Sequence, residues 1–238
     1  MPQPAQPKQP ARPGKPRQPA AGTVETVETP AGPARITWHG PPRKAAARCV
    51  LALGHGAGGG IEARDLAALA AALPPRGVIV ALVEQPWRVA GRKLAPAPKT
   101  LDAGWTALWP ALAAPGLPVV AGGRSAGARV ACRTARELGA AAVLALSFPL
   151  HPPGKPEKSR AEELTAAAGA LPLLGVQGGN DTFGRPAEFP RGHVPTEVPY
   201  GDHGFAVPKR APLTQDEALR ILTGAVGDWL AGLGLATA

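Results

Sequence analysis

The feature that most constrains this chain is the segment from Val119 to Arg129, which reads VVAGGRSAGAR. An apolar run of strand type leads into the pattern G-x-S-x-G, and a segment of helix type follows directly. A match to this pattern gains meaning only in such a strand and helix context. The segment therefore predicts a tight turn that presents the hydroxyl of Ser125 as a nucleophile.

The small residues beside Ser125 fit this interpretation, because a bulky neighbour would clash inside so tight a turn. Gly123, Ala126 and Gly127 supply the missing bulk. Arg124 fills the variable position, and its charge indicates nothing about mechanism. A serine hydroxyl is a poor nucleophile at neutral pH and needs an adjacent base. The alternative is a glycine-rich turn with an idle serine.

The acid and the base of such a site follow later in the chain, each on a loop after a strand. Leu171–Gln177 is of strand type, and the loop after it contains Asp181. Thr196–Tyr200 is a short extended segment, and His203 follows it. In these roles His203 would take the proton from Ser125, and Asp181 would orient the imidazole and stabilise its charged form.

Each of these residues also has a structural interpretation. Aspartate is common in turns after any strand, and a histidine flanked by glycines is often only solvated. Asp202 competes for the role of acid, although adjacent side chains seldom point at each other. The other histidines have poorer settings, beside prolines or in polar stretches.

An early glycine-rich loop predicts a second part of the same site. After the strand-type run 49–53 the chain reads GHGAGGG, and H-G-x-G-G at this place contributes a main-chain N–H to an oxyanion hole. We therefore expect the amides of Ala57 and Ala126 to bind the oxyanion. Gly56 and Gly58 would let the main chain approach a substrate closely.

Two alternatives concern the same loop. A phosphate-binding loop would need Lys and Ser/Thr after its last glycine, where Gly60 and Ile61 stand. The spacing also fits G-x-G-x-x-G, but the acidic residue that a dinucleotide site needs about twenty positions further on is not obvious. Glu84 lies some thirty residues after Gly54.

The chain resembles the α/β-hydrolases, and within them the dienelactone-hydrolase-like branch. That branch includes testis-expressed protein 30 and the hydrolase-like domain of the third subunit of the nonspecific-lethal acetyltransferase complex. The residues that carry the resemblance are 55–59, 88–92, 123–127, 148–155, 178–184 and 201–205. The resemblance maps Ser125, Asp181 and His203 onto the triad and implies hydrolysis of an ester or related acyl substrate. Some members of the branch serve mainly as interaction modules, which is the alternative function.

The remaining pattern predicts one α/β domain over residues 23–238. Strand-type runs lie near 34–39, 48–53, 77–83, 117–121, 141–147, 171–177 and 195–200. Helix-type segments lie near 62–73, 100–114, 126–138, 158–169 and 213–232. Such alternation is typical of a doubly wound, mostly parallel sheet with helices on both faces.

The segment that carries a lid in larger relatives is short here. Only about two dozen residues separate the strand that ends at Ser147 from the one that starts near Leu171, and many of them are prolines. We expect a minimal lid or none, and an open site suited to small or exposed acyl groups. Trp87, Trp105, Trp109 and Phe183 could line a pocket, although scattered aromatic residues are more often core.

Residues 1–22 are rich in proline, contain four basic residues and no acidic one, and predict a disordered tail. The tail lacks aromatic residues and a compact basic cluster, which argues against nucleic acid as a partner. No run reaches the ~18 apolar residues of a membrane helix, and no signal peptide is apparent. We expect a cytoplasmic protein with a small-molecule acyl substrate, no membrane partner and an undetermined oligomeric state.

Cys49 and Cys132 have no ligand spacing, and we expect both to be buried thiols. No cluster of histidine, cysteine and carboxylate residues has metal-ligand spacing, so no metal and no cofactor is predicted.

Overall fold

The structure is a computed structural model and describes residues 22–41 and 47–238. The predicted tail lies outside the described residues, apart from Gly22. No helix in the described part of the chain is long and apolar enough to cross a membrane.

One eight-stranded sheet organises the described chain, in the order β1-β2-β4-β3-β5-β6-β7-β8. The first two strands are antiparallel to their neighbours, and the six later strands are parallel to one another. The strands are β1 Val24–Val27, β2 Ala34–His39, β3 Cys49–Gly54, β4 Val78–Glu84, β5 Val119–Arg124, β6 Ala142–Leu146, β7 Leu173–Gly178 and β8 Thr196–Val198. The predicted doubly wound, mostly parallel sheet is confirmed.

Six α-helices connect the strands or follow them in the described chain. They are α1 Arg64–Ala72, α2 Pro86–Val89, α3 Pro98–Ala113, α4 Ala126–Thr134, α5 Ala161–Ala170 and α6 Gln215–Gly232. Local sequence explains several ends: a 3₁₀ turn at Pro74–Arg76 follows α1, and Thr214 with Glu217 forms a capping box at the start of α6.

The sheet has an apolar layer on each face. On one face α3, α4 and α5 bury Trp105, Leu108, Val130 and Leu164. On the other face α1 and α6 bury side chains such as Leu66 and Leu222. The central strands are buried on both sides, as their continuous apolar sequences predict.

Two elements were not predicted. The edge strand β1 is largely exposed, so it lacks the apolar periodicity by which strands are recognised. The short helix α2 has only one turn and begins at Pro86, a residue favoured at the first position of a helix. The predicted helix over 126–138 is shorter than expected, because residues 135–139 form turns that end at Gly139 with φ +67°.

The site lies where the parallel strands end. The loops after β3, β5, β7 and β8 leave the carboxyl edge of the sheet, where doubly wound sheets bind ligands. Residues 147–160, between β6 and α5, form turns and bends without a helix or strand, so no lid is built there.

Candidate active site

Ser125 occupies a strained turn between β5 and α4. Its φ is 53° and its ψ is −112°, a conformation that side-chain-bearing residues rarely adopt. The turn closes tightly, since a Cβ atom at Gly123 would lie 2.6 Å from the carbonyl oxygen of Gly54 and one at Gly127 2.5 Å from it. Only glycine fits at these two positions, so the strain at Ser125 is held in place by close main-chain packing.

The structure brings Ser125, His203 and Asp181 together in one chain of hydrogen bonds. Nε2 of His203 lies 2.9 Å from Oγ of Ser125, and Nδ1 of His203 lies 2.8 Å from Oδ2 of Asp181. Asp181 is fully buried, whereas the His203 side chain is 22% exposed. The acid is thus shielded from water, and the base stays within reach of a substrate.

The contacts define the direction of proton transfer. A carboxylate oxygen can only accept a hydrogen bond, so Nδ1 of His203 carries a proton and donates it to Asp181. In the neutral imidazole Nε2 then has a free lone pair and accepts from the hydroxyl of Ser125. This tautomer is the one that can remove a proton from the serine.

Gln177 supports the acid and was not identified from the sequence. It is the buried penultimate residue of β7, and its Nε2 donates to Oδ2 of Asp181 at 2.8 Å and to the carbonyl oxygen of Gly184 at 2.9 Å. The main-chain N–H of Phe183 donates to Oδ1 of Asp181 at 2.8 Å. With His203, these donors hold both carboxylate oxygens in place.

Asp202, the competing acid, has a different role. Its Oδ1 accepts from the main-chain N–H groups of Gly204 and Ala206 at 2.7 and 2.8 Å. It therefore folds its own loop and does not contact the ring of His203 in the described contacts. Among the other histidines, His151 pairs with Glu188 at 2.9 Å, outside the hydrogen-bond chain.

The predicted oxyanion loop lies against the nucleophile. A Cβ atom at Gly56 would lie 3.3 Å from Cβ of Ser125, so a larger residue would press on the serine. Ala57 follows and is exposed, and Ala126 is the first residue of α4, so its N–H has no partner within the helix. Gly58 lies in open space with no atom within 4 Å of an added Cβ, so no steric reason requires glycine there.

His55 anchors the glycine-rich loop through two hydrogen bonds. Its Nδ1 donates to the carbonyl oxygen of Gly56 at 2.8 Å, and its Nε2 accepts from the N–H of Gln85 at 3.1 Å. Burial lowers the pKa of His55, which keeps the ring neutral and suits these two contacts. Trp87 packs edge-on against the ring, with centroids 5.5 Å apart.

Arg124, at the variable position of the serine pattern, makes contacts that the sequence analysis did not anticipate. It reaches both the loop of His203 and the buried Asp65 of α1. The only signal in the sequence was a basic residue inside an otherwise small and apolar turn.

The remaining candidate residues divide between site and core. Phe183 stacks on His203, whereas Trp87 and Trp105 are buried in the apolar layer. Cys49 and Cys132 are buried free thiols, and burial raises the pKa of each to about 12. No group of three or more metal-ligating side chains occurs within residues 22–41 and 47–238.

Comparison with solved structures gives the same fold. XC6422 from Xanthomonas campestris, described as a serine hydrolase without lid, is 19% identical with a TM-score of 0.67, over 91% of this chain and 96% of that one. Est1E from Butyrivibrio proteoclasticus is 14% identical with a TM-score of 0.62, over 87% and 99% of the two chains. A dienelactone hydrolase from Anabaena variabilis is 17% identical with a TM-score of 0.62, over 88% and 96%. At these identities the likeness shows the fold alone.

A search of curated protein sequences gave no match. A family model described as an alpha/beta hydrolase domain matches residues 47–231, which include the serine turn, the glycine-rich loop and the loops of Asp181 and His203. This chain belongs to the alpha/beta hydrolase family.

Proposed function

We propose that the chain is a serine hydrolase that cleaves an ester or related acyl bond through an acyl-enzyme. The observation that carries the proposal is the continuous hydrogen-bond chain from Ser125 through His203 to the buried Asp181. A serine beside a neutral, oriented imidazole is the arrangement that activates a hydroxyl for attack on a carbonyl carbon.

The reaction follows from these contacts. Oγ of Ser125 attacks the carbonyl carbon while Nε2 of His203 takes its proton, and Asp181 stabilises the imidazolium. His203 then gives the proton to the leaving alcohol, which departs and leaves the acyl group on Ser125. A water molecule, deprotonated by His203, hydrolyses the acyl-enzyme and restores the serine.

The amides of Ala57 and Ala126 would bind the oxyanion formed in both steps. Support comes from the position of Ala126 at the start of α4, where its unpartnered N–H and the helix dipole both favour negative charge. Support for Ala57 comes from its place directly after Gly56, where an added Cβ atom would lie 3.3 Å from Cβ of Ser125. Each such donor is worth about 10²- to 10³-fold in rate.

A short acyl group fits the surroundings best. The cavity lined by Gly56, Ala126, Trp87 and Leu101, among others, has a volume of about 10 Å³. That space holds about one water molecule, so a long acyl chain has no enclosed pocket there.

Membership of the dienelactone-hydrolase-like branch stays part of this proposal, and the cytoplasmic location stays a prediction from sequence.

The test is covalent labelling by a fluorophosphonate probe, followed by hydrolysis of p-nitrophenyl acetate and octanoate. We expect the native protein to label and to prefer acetate. Ser125→Ala should abolish labelling. Asp181→Asn should slow labelling by about 10³- to 10⁴-fold, because the imidazole of His203 then loses its favoured tautomer.

Ser159→Ala is the matched control, because Ser159 is exposed and makes only a local contact with the N–H of Ala161. It should label at the native rate. A folded native protein that stays unlabelled would overturn the proposal and favour an interaction module on the same fold.

A further inference from the structure

The side chain of Arg124 contacts two segments around the proposed site and passes beside a third. Its Nη2 donates to the main-chain carbonyl oxygen of His203 at 2.7 Å, and its Nε lies 3.1 Å from Oδ2 of Asp65. A Cβ atom added at Gly56 would lie 3.4 Å from Nη1, so the guanidinium also passes beside the glycine-rich loop. Arg124 itself directly precedes Ser125, so one side chain links the serine turn to the loop of the base.

The hydrogen bond from Arg124 to the main chain of His203 fixes the position of the loop that carries the imidazole. The main chain of His203 belongs to a short loop that Asp202 ties together through the N–H groups of Gly204 and Ala206. These bonds shape the loop internally but do not attach it to the serine turn. Arg124 attaches the main chain of His203 to that turn, and its charged, planar guanidinium holds the direction of the bond better than a lysine would.

Asp65 supplies a buried opposite charge beside the guanidinium of Arg124. It lies in the first turn of α1, its side chain is fully buried, and that of Arg124 is 13% exposed. Burial raises the pKa of Asp65, and the neighbouring guanidinium opposes that effect. A buried ion pair is weak evidence for stability, because apolar residues of similar size often serve as well. This ion pair lies beside the proposed site, which favours a role in positioning the site residues over a role in stability.

We propose that Arg124 is a positioning residue that sets the distance between His203 and Ser125, with Asp65 as the buried counter-charge that orients it. The inference rests on the proposed hydrolase function and adds a residue outside the three that carry the reaction. Without Arg124 the loop of His203 keeps its internal bonds and the side-chain bond from His203 to Ser125, but its main chain loses the bond to the residue before the serine.

The experiment compares Arg124→Met/Asp65→Leu with the native protein, since the double change removes both charges and leaves neither one buried alone. Because a misplacement of about 1 Å can cost about 100-fold, we expect fluorophosphonate labelling to slow by about 10- to 100-fold. The thermal midpoint should stay close to native. In Arg124→Ala, millimolar guanidinium should recover part of the labelling rate, and sodium chloride at equal ionic strength should not.

The matched control is Arg133→Met/Asp102→Leu. Arg133 bonds Asp102 at 2.9 and 2.7 Å between α4 and α3 and Glu163 at 3.1 Å, so the control removes a partly buried arginine–aspartate pair outside the site. This control should label at the native rate. Native labelling by Arg124→Met/Asp65→Leu, together with no effect of guanidinium on Arg124→Ala, would overturn the proposal.

A second readout does not depend on turnover. The proton on Nδ1 of His203, bonded to Asp181, should give a low-field proton resonance that is absent in His203→Ala. We expect this resonance to shift or broaden in Arg124→Met/Asp65→Leu and to persist in the control pair. An unchanged resonance would reject the positioning role, whereas an unlabelled native protein would reject the hydrolase function, so the two failures are distinguishable.

Discussion

The phenyl ring of Phe183 stacks on the imidazole of His203, with ring centroids 4.1 Å apart and ring planes inclined by 28°. The N–H of the same residue donates to Asp181. Phe183 therefore contacts both the proposed base and the proposed acid, and its ring restricts the imidazole to the plane in which both hydrogen bonds form.

Phe183→Leu should slow fluorophosphonate labelling by about 2- to 10-fold, because a stacked aromatic pair is worth about 0.5–1.5 kcal/mol beyond its buried area. Stopped labelling time courses give the rate constant. Phe189→Leu is the control, since Phe189 is buried in the apolar layer. It should lose stability and keep the native rate; equal rates for both variants would contradict a role for the stacking.

His55→Ala should destabilise the fold by about 1–3 kcal/mol, because the buried N–H of Gln85 loses its acceptor. It should also slow labelling by about tenfold or more, since the carbonyl of Gly56 is released and the adjacent oxyanion donor is displaced. Urea unfolding and the labelling rate measure the two effects. His39→Ala, at the end of β2, should leave labelling unchanged. A His55→Ala protein that labels normally would show that the loop holds its shape without the histidine.

Gly127→Ala should cost about 1–3 kcal/mol, as overpacking does, because its Cβ would lie 2.5 Å from a main-chain oxygen that cannot move aside. Gly169→Ala in α5 has open space around it and should raise stability by up to about 1 kcal/mol through the higher helix propensity of alanine. Thermal unfolding of the two variants compares them directly. Similar midpoints would mean that the serine turn is less tightly packed than described.

The pair His151 and Glu188 should make stability depend on pH. The main-chain oxygen of Pro152 and the carboxylate of Glu188 raise the pKa of His151 above 6.5, so its contribution is complete below 6.5 and is lost as the pH rises through the raised pKa. The N–H of Arg185 and the side chain of His151 lower the pKa of Glu188 below 4.5, so its contribution is present above 4.5 and is lost as the pH falls through the lowered pKa.

The pair therefore stabilises the fold most between pH 4.5 and pH 6.5, where His151 is charged and Glu188 is ionised. His151→Gln should cost about 0.5 kcal/mol at about pH 5.5, a modest amount because Glu188 is 42% exposed, and less at about pH 8.5. Thermal midpoints at the two pH values measure this difference. In the background of Glu188→Gln the pH dependence should become smaller, because only the main-chain oxygen of Pro152 then raises the pKa of His151; an unchanged pH dependence there would contradict a role for Glu188.

Elements with local sequence signals could be predicted before the fold was known. Continuous apolar strands, alternating helices and small residues around Ser125 act through neighbours a few positions away, so the parallel sheet and the serine turn could be predicted. The order of elements also placed Asp181 and His203 on loops at one edge of the sheet. Their catalytic roles stay predictions until the labelling is measured.

Which distant side chains meet depends on the tertiary structure. The sequence favoured Asp181 over Asp202, and the packing of distant segments brings Asp181 to His203 and brings Arg124 to both Asp65 and the main chain of His203. Strand and helix signals are read over a few residues, whereas the direction of a side chain across a site depends on elements that lie far apart in the chain. The edge strand β1 was missed for a related reason, since its pairing with β2 and not a buried face defines it.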